Sequence, residues 1–157
     1  MAARVGMGFD VHAFSDDAAR RLVLGGVELA GARGLAGHSD ADVVAHAAAD
    51  ALLGAVGLGD LGDHFPDTDP VWADADSMQL LARVVEQVRA GGWRPANVDC
   101  TVVLEAPRLG PHRAAMQERL TAVVGAPVSV KATTAERLGF IGRGEGVACW
   151  AVALVEA

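Results

Sequence analysis

Val147-Ala148-Cys149-Trp150-Ala151-Val152-Ala153-Leu154-Val155 runs for nine residues without a polar side chain. A strand with one wet face would place a polar residue at every second position, so this segment reads as a strand covered on both sides. Upstream, Val128–Thr133 and Asp99–Leu104 read as two more strands, and Arg4–His12 as a fourth in which Gly6 and Gly8 allow a close backbone approach. Helices fall between them. One opens at Ser39 or Asp40 and continues to about Val56, with Ser39 and Asp42 spaced as a capping box. Another runs from about Asp76 to Ala90 and stops at Gly91-Gly92, and a third covers Pro111–Val124. Leu22–Leu24 and Val27–Leu29 flank Gly25-Gly26 as a hairpin, after a polar turn at Asp16–Arg21, and Gly57–Pro70 is a turn-rich loop. This alternation predicts a single α/β domain over residues 1–157, an α+β two-layer sandwich whose mixed sheet carries helices on one face. If no helices cover the other face, another subunit must.

Composition removes several classes of function. The chain has 157 residues, a formal charge of −7, 52% hydrophobic residues and 21% charged ones, which fits one self-sufficient core and not a disordered segment. No basic stripe offsets the acid, Lys131 is the only lysine, and nucleic-acid binding is not expected. Cys100 and Cys149 sit in apolar stretches, as buried reduced thiols do. The residues from Met1 show no signal-peptide pattern, and the apolar stretch Val43–Leu58 is broken by His46 and Asp50, so the expectation is a cytoplasmic protein without a membrane span.

The placement of acid and imidazole is more telling. Nine of the thirteen aspartates lie between Asp40 and Asp76, and four of the five histidines between His12 and His64. Such clustering suits a site for hard or borderline cations. Asp10 and His12 stand two apart on a strand and leave the same face. His46 shares a helical face with Asp42 and Asp50. Taken singly, His46 is a satisfied buried histidine and Asp42 a cap residue. Taken together, Asp10, His12 and His46 leave a fourth tetrahedral position open, as catalytic zinc sites do, with Asp50 placed to orient the His46 ring. His38-Ser39 opens the same helix, where free N–H groups favour a phosphate.

Five blocks carry a resemblance that no one of these features carries alone: GFDVHAF (Gly8–Phe14), AGHSDADVVAHAAADALLGA (Ala36–Ala55), GDLGDHFPDTDP (Gly59–Pro70), EAPRLGPH (Glu105–His112) and KATTAERLGFIGRGEG (Lys131–Gly146). In this order they resemble the 2-C-methyl-D-erythritol 2,4-cyclodiphosphate synthases of non-mevalonate isoprenoid synthesis. The resemblance implies Zn²⁺ on Asp10, His12 and His46, and a second divalent ion, Mg²⁺ or Mn²⁺, on Glu136. It implies phosphate contacts from His38, Ser39, Thr133 and Thr134, with His38 and Thr134 stabilising the transition state. Asp60 and Gly62 would take the ribose, and Phe65, Asp67 and Asp69 the methylerythritol. The cytidine would lie among Leu104, Glu105, Ala106, Pro107, Arg108, Leu109, Gly110, Ala132 and Thr133. Arg108, often Lys in the family, and Gly110, often larger, are departures confined to that pocket. The resemblance also implies a homotrimer with active sites between subunits. Phe9, Phe140, Arg143 and Glu145 would surround a central cavity that holds an isoprenoid diphosphate in several members.

The residue types fit such chemistry. A 2-phosphate already carries the nucleophilic charge, so attack on the β-phosphorus with loss of CMP needs positioning and cations rather than a strong base. Two other functions use the same residues: a zinc phosphohydrolase with a metal-bound hydroxide, and a non-catalytic metal-dependent trimer that binds isoprenoid diphosphates. Mass spectrometry of the products separates all three.

Overall fold

In the computed structural model, which describes residues 1–157, the elements follow in the order β1 (Ala3–Ala13), β2 (Val23–Leu24), β3 (Val27–Glu28), α1 (Val43–Val56), α2 (Leu61–His64), α3 (Ser77–Ala90), β4 (Arg94–Val103), α4 (Arg113–Val124), β5 (Val128–Thr133), α5 (Gly139–Gly142) and β6 (Gly146–Glu156). The main sheet has the strand order β1-β6-β4-β5. β6 runs antiparallel to both of its neighbours, whereas β4 and β5 are parallel. The sheet is therefore mixed, and β1, β4 and β5 all point their carboxyl ends the same way. α1, α3 and α4 pack on one face of this sheet, and β2 and β3 form a small separate hairpin.

β6 explains the layering. Val147, Cys149, Ala151, Ala153 and Val155 face the helices and are buried. Trp150 and Val152 point to the opposite face with Val5, Met7, Phe9 and Val11 of β1, and all six are exposed. A single chain thus covers one side of β6, and the apolar character of the other side has no partner within it. Phe9 and Trp150 pack against each other there, with ring centroids 4.8 Å apart.

The helix-side face of β1 begins with Gly6 and Gly8 for a reason visible in α1. A Cβ on Gly8 would stand 2.0 Å from the Ala47 carbonyl oxygen, and one on Gly6 2.0 Å from that of Ala51. The helix answers with alanines: Ala47, Ala48 and Ala51 are all buried. Strand and helix backbones are in direct contact, which fixes the distance from Asp10 and His12, farther along the same strand face, to His46 on the helix.

Several boundaries differ from the sequence reading. α1 starts at Val43, not at Ser39 or Asp40, because Asp42 is its N-cap and accepts from Val44 and Ala45 N–H at 3.1 Å each. Asp42 also accepts from Gly25 and Gly26 N–H at 2.8 and 2.7 Å, which ties the hairpin turn to the helix end. That double use decides the start. Ser39 instead accepts from Ala41 N–H within the preceding turn. Pro111 lies in a 3₁₀ turn, Gly110–His112, and α4 begins after it. β4 extends upstream to Arg94, and the Gly57–Pro70 loop contains α2, closed by a capping box between Asp60 and Asp63.

Candidate active site

At the carboxyl end of β1 the side chains of Asp10 and His12 meet His46 from the first turns of α1. Asp10 Oδ2 lies 2.9 Å from His46 Nδ1 and 3.2 Å from His12 Nε2, and the candidate donor atoms all fall within 4.8 Å of one another. Burial pushes the Asp10 carboxyl up, but hydrogen bonds with His12 and His46 outweigh it and hold the group well below the usual carboxylate range. Burial pushes His12 down, and the Asp10 carboxylate more than reverses this, so its imidazole titrates above its ordinary value.

The donor set suits a divalent metal. His12 Nδ1 donates to the Ala36 carbonyl at 2.7 Å, so the neutral form of the ring keeps its lone pair on Nε2, facing the Asp10 carboxylate, and only the protonated form donates to Asp10 from there. Lone pairs aimed at one another across about 3 Å repel unless a proton or a cation lies between them. One carboxylate and two imidazoles form a recurrent donor combination for zinc and its neighbours.

Around the triad lies a cavity of about 560 Å³ whose lining includes His38, Ser39, Asp60, Gly62, Phe65 and Asp67. α1 and its preceding turn contribute His38 and Ser39, while α2 and the residues after it contribute the rest. His38 Nε2 donates to the Asp69 carbonyl at 3.2 Å. The Asp69 side chain caps the 3₁₀ turn Pro70–Trp72 through Val71 N–H. Trp72 also lines the cavity, and its ring stands edge-on to Phe65 with centroids 5.0 Å apart. Asp50 does not orient His46. Its Oδ1 accepts from Leu61 N–H at 2.7 Å, which moors α2, and burial raises its pKa.

A second hollow, of about 460 Å³, opens at the carboxyl ends of β4 and β5. Leu104, Pro107, Arg108, Leu109, Gly110, Ala132, Thr133 and Thr134 line it together with Glu105 and Pro111. Ala106 borders a neighbouring hollow with Pro107. A Cβ on Gly110 would meet nothing within 4 Å, so the absent side chain leaves open space rather than a packing defect. Beyond Thr134 the chain turns through left-handed Glu136 (φ 52°) and Arg137 (φ 63°). Glu105 Oε1 supports this turn by accepting from Ala135 N–H at 2.8 Å and from Arg137 N–H at 3.4 Å. Glu136 Oε1 lies 3.3 Å from the Thr134 hydroxyl. Phe140 and Arg143 border neither hollow. Both are exposed, and Arg143 pairs with Glu145 at 2.9 Å.

Apart from Glu136, Phe140 and Arg143, which line neither hollow, the predicted residues thus form two groups at the same end of the sheet but on opposite edges, beside β1 and beside β5. Three strand spacings, about 14 Å, separate those edges. Trp72 is a feature of the site that sequence reasoning missed, as are Ser77, whose hydroxyl lies 2.7 Å from His46 Nε2, and Asp40, which accepts from it. Asp40 lay beside the His38-Ser39 signal, and Glu105 fell within the Leu104–Gly110 stretch expected at the cytidine pocket, although its support of the turn after Thr134 was not foreseen. No helix is long and apolar enough to cross a membrane.

Known proteins resemble this chain over almost its whole length. Residues 3–156 match the profile of the YgbB family. A protein of Symbiobacterium thermophilum named 2-C-methyl-D-erythritol 2,4-cyclodiphosphate synthase is 57% identical over 154 residues, covering 96% of this chain and 97% of its own. The bifunctional IspDF from Campylobacter jejuni superimposes with a TM-score of 0.93 at 42% identity, over 98% of this chain and 42% of that one. A 2C-methyl-D-erythritol-2,4-cyclodiphosphate synthase solved in a CDP-bound form gives 0.87 at 35% identity, over 98% of this chain and all of the other. Matched over nearly its whole length by the family profile and by a relative 57% identical to it, the chain belongs to the YgbB family, the 2-C-methyl-D-erythritol 2,4-cyclodiphosphate synthases.

Proposed function

We propose that this protein converts 4-diphosphocytidyl-2-C-methyl-D-erythritol 2-phosphate into 2-C-methyl-D-erythritol 2,4-cyclodiphosphate and CMP, in the cytoplasm, as a step of non-mevalonate isoprenoid synthesis. The observation that carries this reading is the triad of Asp10, His12 and His46 within a cavity that His38, Ser39, Asp60 and Asp67 also line. Zn²⁺ on the triad and Mg²⁺ or Mn²⁺ on Glu136 would supply Lewis-acid charge to the phosphates of the bound substrate. The chain's own residues position the substrate. His38 and Ser39 offer donors to the diphosphate at the entry of α1. Asp60 and Gly62 hold the ribose, while Phe65, Asp67 and Asp69 hold the methylerythritol. An oxygen of the 2-phosphate then forms a bond to the β-phosphorus as the bond from that phosphorus to CMP breaks, with His38 and Thr134 hydrogen-bonding to the charge that develops.

We further propose that the working unit is a homotrimer. His38 and Thr134 belong to opposite sheet edges of one chain, and a neighbouring copy that brings its Leu104–Thr134 hollow to the Asp10 cavity would complete one site from two halves. The open face of Val5, Met7, Phe9, Val11, Trp150 and Val152 supports such packing, because apolar patches of this kind mark interfaces. Phe9, Phe140, Arg143 and Glu145 would line the space about the threefold axis, with room for an isoprenoid diphosphate. The CDP-bound relative supports a cytidine nucleotide as ligand, and the Arg108–Gly110 hollow is where this reading puts its base. Incubation with the cytidylylated substrate, read by mass spectrometry and a coupled CMP assay, tests the reading. CMP with a cyclic diphosphate is expected, whereas inorganic phosphate or a monophosphate product would mean a hydrolase.

A further inference from the structure

On the side of His46 away from Asp10, a buried hydroxyl and a half-buried carboxylate form a short chain. His46 Nε2 lies 2.7 Å from Ser77 Oγ, and Ser77 Oγ donates to Asp40 Oδ1. Asp40 Oδ2 accepts from Ser77 N–H at 3.2 Å, and Asp40 Oδ1 from Asp42 N–H at 3.3 Å. Ser77 is 1% exposed, so water does not substitute for these partners.

The hydrogens on this chain can be counted. An ionised carboxylate only accepts, so the single Ser77 hydroxyl hydrogen is committed to Asp40. What Ser77 offers to His46 is then a lone pair, which only an N–H can meet. Ser39 Oγ, at 3.3 Å from the same nitrogen, is the longer contact. Nε2 therefore carries the proton of the neutral ring, and Nδ1, 2.9 Å from Asp10 Oδ2, keeps its lone pair once a cation rather than a second proton joins the two. His12 reaches the same state with the opposite nitrogens, because the Ala36 carbonyl accepts from its Nδ1. Each ring is set by a partner that cannot do otherwise.

We propose that Ser77 and Asp40 are positioning residues that hold His46 in its Nε2–H tautomer, so that Nδ1 joins Asp10 and His12 in presenting lone pairs to one divalent cation. This rests on the reading of the triad as a metal site. Ser77 also stands in the first turn of α3, and a purely structural role there would affect stability but not metal affinity. The test measures Zn²⁺ affinity, by competition with a chromophoric chelator, alongside thermal stability of the full-length protein. Ser77→Ala and Asp40→Asn are each expected to weaken Zn²⁺ binding by about 10–100-fold, the usual effect of removing the partner of a ligating histidine. Asp76→Ala, which removes only the α3 cap on Met78 N–H, is expected to lower Tm and leave Zn²⁺ affinity unchanged. If Ser77→Ala does not fold, Asp40→Asn decides. Zn²⁺ affinity within twofold of the parent in these variants, or an equal loss in Asp76→Ala, would overturn the proposal. His46→Ala separates the two levels. Zn²⁺ lost there but kept in Ser77→Ala and Asp40→Asn refutes the positioning role alone, and Zn²⁺ kept in all three refutes the triad as well.

Discussion

Replacing Gly8 with alanine tests whether backbone contact between β1 and α1 sets the geometry of the triad. The new Cβ would stand 2.0 Å from the Ala47 carbonyl oxygen and 2.6 Å from Ala51 N. Ordinary contact begins at 3.4 Å, so α1 must retreat by the difference, about 1.4 Å. Overpacking of a closely packed core costs about 1–3 kcal/mol, and the upper end applies where both atoms met are backbone. For a chain of this length, about 3 kcal/mol corresponds to a Tm lowered by about 6–12 °C. The larger consequence is local. His46 lies one residue before Ala47, and metal sites tolerate displacements of only about 0.2 Å. Gly8→Ala is therefore expected to weaken Zn²⁺ binding by at least tenfold, about 1.4 kcal/mol, although no ligand has changed. Gly54→Ala in the same helix is the control. Its Cβ would meet only the Met7 carbonyl oxygen, at 3.8 Å, so relief of the helix-interior glycine should stabilise by about 0.5 kcal/mol with no effect on metal. Differential scanning calorimetry and chelator competition on both variants decide the matter. A Gly8→Ala protein with Tm within 2 °C of the parent and unaltered Zn²⁺ affinity would refute the reasoning.

Other perturbations follow from the same geometry. His46→Ala should abolish stoichiometric zinc by atomic emission and lower kcat by several orders of magnitude; a variant that kept both would remove His46 from the ligand set. Glu136→Ala should weaken the Mg²⁺ dependence of CMP release while zinc stays bound, and zinc loss would contradict two separate sites. Zn²⁺ affinity should fall on acidification, because the proton and the cation compete for His12 Nε2. Since Asp10 raises the His12 pKa above its ordinary value, the decline should begin above pH 6.5 and approach tenfold per pH unit below the raised value, and a flat profile down to pH 6 would contradict it. Val152→Glu puts a charge on the open apolar face and should shift the oligomer toward monomer in analytical ultracentrifugation, with activity lost in parallel.

The legible part of this molecule was whatever depended on local pattern. Val128–Thr133 appears with its expected ends, and α3 begins one residue after Asp76 and stops at the predicted glycines. The Asp10–His12 pair is legible because strand alternation has period two, and the match of β1 to a glycine-and-alanine interface follows from Gly6 and Gly8. What stayed hidden depended on which distant groups share a hydrogen bond. Asp42 had the spacing of an N3 residue, yet the Gly25 and Gly26 N–H groups make it the cap. Asp50 had the helical spacing to reach His46, yet Leu61 N–H draws it to α2. Ser77 is an unremarkable first-turn serine until the tertiary fold places it against His46.

The aspartate cluster shows why residue density alone misleads about chemistry. Its members Asp42, Asp60, Asp69 and Asp76 are N-caps, each accepting backbone N–H groups at the start of a helix or 3₁₀ turn. Capping by a short carboxylate is cheap stabilisation for a segment that must break its backbone ladder repeatedly. Asp10, the carboxylate that joins the metal triad, lies outside the cluster on β1. The caps still serve the site indirectly, because the turns they stabilise carry His38, Asp60, Phe65 and Asp67 to the cavity wall. They also spend carboxylate charge on N–H groups and helix dipoles, so the local field opposing an anionic substrate is weaker than the formal −7 suggests. A chain with one lysine can then hold a multiply charged substrate if divalent cations occupy the few carboxylates and imidazoles that remain free, and removal of those cations should cost substrate affinity as well as rate.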